Sequence, residues 1–153
     1  SVTAANASGI NDGAAAVVLA TGAEVTARNL QPLAKIISWG HAGVEPHLMG
    51  LGPIKAVPIA LQRAGLSLAD IDVIEANEAF AAQALAVARE LGFDPAKLNP
   101  NGSGVALGHP VGATGAILTV KTAYELKRTG GRYGLITMCI GGGQGIALVI
   151  ERV

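Results

Sequence analysis

The sequence predicts an α/β fold. Two observations carry this reading. Short apolar runs of strand length alternate with helical patterns, several of them closed by glycine. Half of the residues are hydrophobic, yet only 3% are aromatic. Alanine, valine, leucine and glycine therefore build the core, and small residues let helices lie close against a sheet. A chain of 153 residues suits one domain of ordinary size.

The elements follow in order. Ser1 to Gly13 (SVTAANASGINDG) is small, polar and rich in turn formers. It can hold an amide-bearing ligand through backbone and hydroxyl contacts, or serve as a plain connector. Ala14 to Ala20 (AAAVVLA) reads as a short buried strand. Gly22 to Leu30 suggests a short helix ahead of Pro32, and Leu33 to Trp39 the next strand. His41 to Gly52 (HAGVEPHLMGLG) reads as a long loop. Pro53 to Gly65 reads as a helix, with Pro58 either kinking it or marking its true start. Ser67 offers a turn or a cap, and Ile71 to Glu75 (IDVIE) is a strand. A helix through Ala81 to Glu90 stops near Gly92, and Val111 to Arg128 is the longest helical pattern, basic at its end where cations suit the helix dipole. Tyr133 to Ile140 and Ile146 to Val153 form a hairpin around the turn Gly141-Gly142-Gly143-Gln144-Gly145.

Composition excludes several classes of function. Lysine plus arginine equals aspartate plus glutamate, 11 each, which leaves no electrostatic footprint for nucleic acid or an anionic membrane. No apolar run approaches the roughly 20 residues of a spanning helix. No charged-then-apolar secretory leader is seen. The lone Cys139 cannot form an internal disulfide, and no Cys/His cluster has zinc-ligand spacing. His41 and His47 lack an acidic partner at metal-binding spacing and read as solvated loop histidines. A reducing, intracellular setting is expected. The chain opens on Ser1 without methionine and reads as a piece of something longer.

Three stretches carry chemistry. Asn99 to Gly115 (NPNGSGVALGHPVGATG) is dense in glycine and presents His109 where a helical pattern starts at Pro110. A helix N-terminus disfavours a second positive charge, so an imidazole held there tends to stay neutral and can donate to a developing oxyanion. His109 can equally be a capping or packing residue. Asn77-Glu78-Ala79-Phe80 follows a strand directly, at the end where α/β sheets bind ligands. The Asn77 amide can fix a water or a substrate oxygen, or cap the next helix. Cys139 near the hairpin tip can be a core cysteine, but the glycine turn beside it leaves backbone N–H groups bare of side chains next to a sulfur. No glycine-rich loop has the strand, GxGxxG, helix order of a dinucleotide site.

Taken together, Asn77-Glu78-Ala79-Phe80, Gly108-His109-Pro110 and Cys139-Ile140-Gly141-Gly142-Gly143 resemble the C-terminal half of the thiolases, the acetyl-CoA acetyltransferase and 3-ketoacyl-CoA thiolase family. The opening NASGINDGAAAVVLA and the closing GGGQGIALVIE also look like the family, so the likeness covers essentially the whole chain, residues 1–153. NPNGSGVALGHPVGATGA and MCIGGGQG look closest to bacterial β-ketothiolases. The resemblance implies a five-layered α/β/α/β/α molecule of two similar halves. This chain is expected to supply the C-terminal one, an α/β thiolase-like half in βαβαβαββ order with a mixed sheet between helix layers, and the strands read above agree with that order. It implies Claisen condensation of two acyl-CoA thioesters, or thiolysis of a 3-ketoacyl-CoA, through an acyl-cysteine.

The implied roles fall on particular residues. His109 hydrogen-bonds the thioester oxygen as the enolate forms, and Asn77 holds a water that completes that oxyanion hole. Cys139 exchanges the α-proton, for which a thiolate with a lowered pKa is expected. The N–H of Gly141 steadies the tetrahedral oxyanion of acyl transfer. Ser8 and Met49 lie near the pantetheine arm, and Phe80 lines the acyl pocket. No resident cofactor or metal is expected; CoA and acyl-CoA are substrates. The family's nucleophilic cysteine lies in an N-terminal half that this sequence lacks, so the isolated chain is expected to be inactive. Its expected partners are that half and further copies of itself, in the cytoplasm. The alternatives are a thiolase-like module that binds acyl-CoA without chemistry, and an excised half that dimerises through an apolar face. Val111 to Ala123 is the candidate helix for the layer shared between halves.

Overall fold

The computed structural model describes residues 2–153; Ser1, the first residue of the opening loop, lies outside them. The closing hairpin forms where the alternation of β-branched and glycine-rich segments places it. Strand β3 spans Tyr133–Ile140 and β4 spans Gln144–Arg152. They pair antiparallel from Tyr133↔Glu151 to Ile140↔Gln144. Strand β1 (Ala34–Gly43) pairs antiparallel with the other edge of β4. Strand β2 (Val73–Ala76) runs parallel to β3. The result is a mixed sheet in the order β1-β4-β3-β2.

A parallel pair needs a long crossover. Between β2 and β3 it consists of helices α3 (Ala81–Leu91), α4 (Gly104–Leu107) and α5 (Thr114–Thr129). Two further helices, α1 (Gly22–Ala27) and α2 (Gly52–Ala64), precede β2. All four residues of β2 are buried, as expected for a parallel strand covered on both faces. One face of the sheet meets α2, where Ala56, Val57, Ala60 and Leu61 pack with Ile74, Leu135, Ala147 and Val149. On the other face, Leu118, Ala123 and Leu126 of α5 pack against Val73, Ile136 and Ile150. The small-residue composition is used directly. A Cβ on Gly40 would run into Ala56 O and stand 2.7 Å from Ala60 N. The Ser38 hydroxyl, just before it, donates to Ala60 O at 2.7 Å. Helix α2 thus lies against bare backbone.

Helices α2, α3 and α5 end on Gly65, Gly92 and Gly130, all at positive φ. This left-handed cap costs glycine no Cβ clash. Pro58 neither starts nor ends α2; it sits exposed in the helix interior, where its lost hydrogen bond faces solvent. Ser67 and Asp70 form a capping box on a short 3-10 turn, Leu68–Asp70.

Four expectations need correction. Residues 14–20 form no ladder, and Val18 and Leu19 are 97% and 73% exposed. Their composition suits a strand, but a buried strand needs neighbours for its N–H and C=O groups. The outer edge of β2 is already taken, through Ile74 N–H to Lys97 O and Asn99 N–H to Ile74 O. Among the described residues there are four ladder-forming strands rather than five. Strand β1 runs on to Gly43, because its pairing with β4 continues through His41↔Ile146 and Gly43↔Gln144. His41 is therefore a strand residue bonded to Gln144 Oε1 at 2.9 Å, not a loop histidine. The long helix starts at Thr114 rather than Val111, after a single turn in which Pro110 O accepts the N–H groups of Ala113 and Thr114. Finally, Asn77 caps no helix: α3 begins at Ala81, with Phe80 at the cap position.

Candidate active site

The site assembles at the carboxyl end of the parallel pair. Ala76 stands opposite Thr137, and the next N–H, that of Asn77, donates to Thr137 O at 3.0 Å. Asn77 thus emerges beside β3 two residues before Cys139. Its side chain is buried.

The loop that brings His109 to this point is fastened to β2 by side chains that imitate a strand. Asn99 Oδ1 accepts the Ala76 N–H at 2.9 Å, and Asn99 Nδ2 donates to Ala76 O at 2.9 Å. Ser103 Oγ donates to the same carbonyl at 3.1 Å. The Glu78 carboxylate accepts from Asn99 Nδ2 and from the Val105 N–H, each at 3.3 Å. Gly104 is needed here, because a Cβ would stand 2.5 Å from Glu78 O. Below the loop, Lys121 of α5 donates to Gly102 O and to Glu75 Oε2. Burial raises the Glu75 carboxyl above its usual range, and Lys121 only partly offsets this.

His109 follows Gly108 and meets Asn77: His109 Nε2 lies 3.3 Å from Asn77 Nδ2. Its other ring nitrogen, Nδ1, lies 2.7 Å from Thr114 Oγ1. Burial holds its pKa below the usual 6.5. That shift favours the neutral ring at pH 7. The cause is desolvation rather than a helix end, since α5 starts five residues later at Thr114.

Cys139 is buried on β3 and paired across the hairpin with Gly145. Burial pushes its thiol up, and the hydrogen bond from its own backbone offsets this only in part. The lowered pKa expected from the sequence does not arise among these residues. Gly141, at the tip, is exposed, and nothing lies within 4 Å of where a Cβ would stand. The next glycines differ: Gly142 and Gly143 have positive φ, and a Cβ on Gly143 would meet Val44 and Pro46.

The opening loop lies along the same place. Ser8 N–H donates to Ala79 O, Ala81 N–H donates to Asn6 O, and Ala7 bridges Phe80. Further on, the His109 N–H reaches Gly9 O at 3.2 Å and Asn11 Oδ1 at 3.3 Å. Ser8 and Phe80 therefore stand side by side next to Asn77. Met49 lies on a 3-10 segment, Pro46–Leu51, which packs against β3 and β4 and is tied to α3 by Gln83 Nε2 to Gly50 O at 3.0 Å. The structure thus brings Asn77, His109, Ser8 and Phe80 together, with Cys139 and Gly141 on the adjoining strand and turn, and sets Met49 on a segment packed against that same strand. Sequence reasoning missed Asn99, Ser103, Glu78 and Thr114. Asn99, Ser103 and Thr114 lie inside the glycine-rich stretch, and Glu78 is the residue after Asn77. Among the described residues, no group of three or more His, Cys, Asp or Glu could hold a metal ion.

Known proteins share this sequence and this fold. The family profile "Thiolase, C-terminal domain" matches residues 30–152. The chain is 66% identical over 152 residues to beta-ketothiolase BktB of Cupriavidus necator, covering 99% of this chain and 39% of that protein. It is 59% identical to acetyl-CoA acetyltransferase of Escherichia coli, covering 99% of this chain and 38% of that one. The crystal structure of Bacillus anthracis acetyl-CoA acetyltransferase superposes with a TM-score of 0.98 at 52% identity, over 99% of this chain and 39% of that chain. Human mitochondrial 3-ketoacyl-CoA thiolase in complex with CoA gives a TM-score of 0.92 at 44% identity, again over 99% and 39%. The chain thus spans about two fifths of the length of these relatives. Its fold, its motifs and these matches agree that the chain belongs to the thiolase family, through the family's C-terminal domain.

Proposed function

We propose that residues 1–153 form the C-terminal unit of a thiolase that condenses two acyl-CoA molecules, or cleaves a 3-ketoacyl-CoA with CoA. In this reading the chain contributes the groups that handle the enolate. The observation that carries it is the pairing of Asn77 with His109 across 3.3 Å, beside the strand that bears Cys139. A neutral imidazole with one N–H directed at a forming enolate oxygen is an oxyanion donor. Asn77 adds the second donor by holding a water.

In the condensation direction, the Cys139 thiolate takes a proton from the α-carbon of an acetyl thioester. The C–H electron pair becomes the enolate, whose oxygen is held by His109 and the Asn77 water. The enolate carbon attacks an acyl-cysteine, and the tetrahedral oxyanion is steadied by the Gly141 N–H until the cysteine thiolate leaves. That second cysteine belongs to the N-terminal half, because Cys139 is the only cysteine here. The same half, or the bound thioester, must also draw down the Cys139 pKa, which burial alone raises. Ser8 and Met49 flank the pantetheine arm, and Phe80 lines the acyl pocket. CoA and acyl-CoA are substrates, and no resident cofactor or metal takes part.

The working protein contains the N-terminal half and assembles as a homo-oligomer. We place it in the cytoplasm, the compartment in the name of the similar cytosolic acetyl-CoA acetyltransferase of Rattus norvegicus. No helix among the described residues is long and apolar enough to cross a membrane.

The test is acetoacetyl-CoA cleavage by the purified chain alone and after mixing with an N-terminal thiolase half. No turnover alone and recovery on mixing is the expected result. Sustained turnover by the chain alone refutes the division of labour. Acyl-CoA binding without turnover by the assembled protein would favour the non-catalytic module.

A further inference from the structure

His109 can donate from Nε2 only if its single neutral-state proton is on that nitrogen. The structure contains a device that decides this. Thr114 Oγ1 lies 2.7 Å from His109 Nδ1 and 3.0 Å from Pro110 O. Its hydroxyl has one proton and two possible acceptors. Pro110 O is already satisfied, taking the N–H of Ala113 at 2.8 Å and of Thr114 at 3.0 Å. A carbonyl oxygen offers two lone pairs, so a bond from the Thr114 hydroxyl has to share one already taken by an N–H. The imidazole Nδ1 has no other partner among the described residues, and its contact with Thr114 is the shorter of the hydroxyl's two. Thr114 is only 3% exposed, so water does not compete for the proton.

We propose that Thr114 is a positioning residue for His109: its hydroxyl donates to Nδ1, which fixes the imidazole as the Nε2–H tautomer and aims that N–H at the Asn77 side of the site. Burial supports the arrangement by keeping the ring neutral. Asn77 fits it as well. An Nε2–H needs an acceptor when no substrate is bound. Asn77 Oδ1 is a buried polar atom without a partner among the described residues. A half-turn of the Asn77 amide brings Oδ1 to the place Nδ2 now holds, facing Nε2. Oδ1 then accepts from the Nε2–H, and the amide NH2 takes the buried place that the oxygen leaves. A substrate oxygen arriving at Nε2–H replaces one acceptor by another, with no change of tautomer.

The functional meaning of this assignment rests on the reading of His109 as an oxyanion donor, but the tautomer can be measured without it. The experiment is long-range 1H–15N correlation NMR on the full chain. With only His41, His47 and His109 to resolve, assignment needs one or two single substitutions. The expected spectrum shows His109 protonated at Nε2, with the bare Nδ1 resonance displaced by an accepted hydrogen bond. Thr114→Ser keeps that displacement. Thr114→Val loses it, and the ring relaxes to a mixture of tautomers. In the assembled enzyme, the serine variant retains kcat, while the valine variant loses kcat with KM little changed. A wild-type ring protonated at Nδ1 overturns the proposal, and this result does not depend on whether the valine variant folds. A valine variant with an unaltered His109 spectrum overturns it too. If the spectra are as expected but the assembled enzyme is inert, the thiolase reading fails and the tautomer assignment stands.

Discussion

Replacing Asn99 by glycine and by alanine separates two things this residue does. Its side chain occupies both hydrogen-bonding groups of Ala76, the last residue of β2 before Asn77, at 2.9 Å each. Its backbone is left-handed, with φ +47°. Asn99→Gly removes the side-chain bonds and leaves the backbone comfortable. The Ala76 N–H is then buried without a partner, at about 1–3 kcal/mol. Ala76 O keeps the Ser103 hydroxyl, so its loss is nearer about 0.5–1.5 kcal/mol. Together they come to about 1.5–4.5 kcal/mol. Asn99→Ala loses the same bonds and forces a Cβ into the left-handed region, about 1 kcal/mol more. Urea unfolding followed by circular dichroism reads both, and each kcal/mol moves Tm by about 2–4 °C in a chain of this size. The order expected is wild type, then glycine, then alanine. A glycine variant within about 0.5 kcal/mol of wild type would show that Ala76 does not depend on this amide. An alanine variant more stable than the glycine one would refute the backbone part.

Three further outcomes are expected. Gly141→Ala should leave the unfolding midpoint within about 0.5 kcal/mol of wild type, because Gly141 has open space around it and no positive φ; in the assembled enzyme acyl transfer should fall, and full retained turnover would remove Gly141 from the oxyanion assignment. Lys121→Met strips the cation from the fully buried Glu75 and should cost about 3–5 kcal/mol at neutral pH. Since burial already raises Glu75 above 4.5, the carboxylate takes up a proton as pH falls and the cost shrinks, so an equal cost at neutral and mildly acidic pH would contradict the pairing. The third concerns His109, whose folded pKa lies below 6.5. The unfolded chain binds that proton at higher pH than the folded one, so the stability contributed by the neutral ring is complete above pH 6.5 and is lost as pH falls through the folded value. His109→Gln should flatten that part of the profile, and an undiminished slope would assign it to another group.

How much of this was legible in the sequence depends on whether a feature is local. Helices α2 and α3 could be read from apolar spacing and from Gly65 and Gly92 at their ends. The hairpin could be read from two β-rich runs around a glycine turn. The run at 14–20 misled because composition records the tendency to form a strand but not the presence of a neighbour. Strand β1 was read short because its last residues, His41 to Gly43, are held by pairing with β4 rather than by their own propensity. Helix α4 has four residues, too few for any period to show. At the site, His109, Asn77 and Cys139 stood out as reactive types beside glycine-rich turns. Asn99, Ser103 and Thr114 did not, because each acts on a partner that only the folded chain supplies: Ala76 for the first two, and a particular nitrogen of His109 for the third.

The contact between Gly52 and Gly145 bears on how this fold can be inherited. A Cβ on Gly145 would fall on the Gly52 backbone and 2.6 Å from Pro53 N; one on Gly52 would fall on the Gln144 carbonyl and 2.6 Å from Gly145 N. Side-chain contacts in a core can drift, because a loss of volume on one side can be met by a gain on the other. Here neither side has volume to give back. A saturation library would accept only glycine at both positions, whatever second change accompanied the first, while neighbouring aliphatic positions traded size freely. The start of helix α2 and the hairpin that carries Cys139 are joined at a point with no neighbouring genotypes, so lineages that diverge everywhere around it have to keep it unchanged.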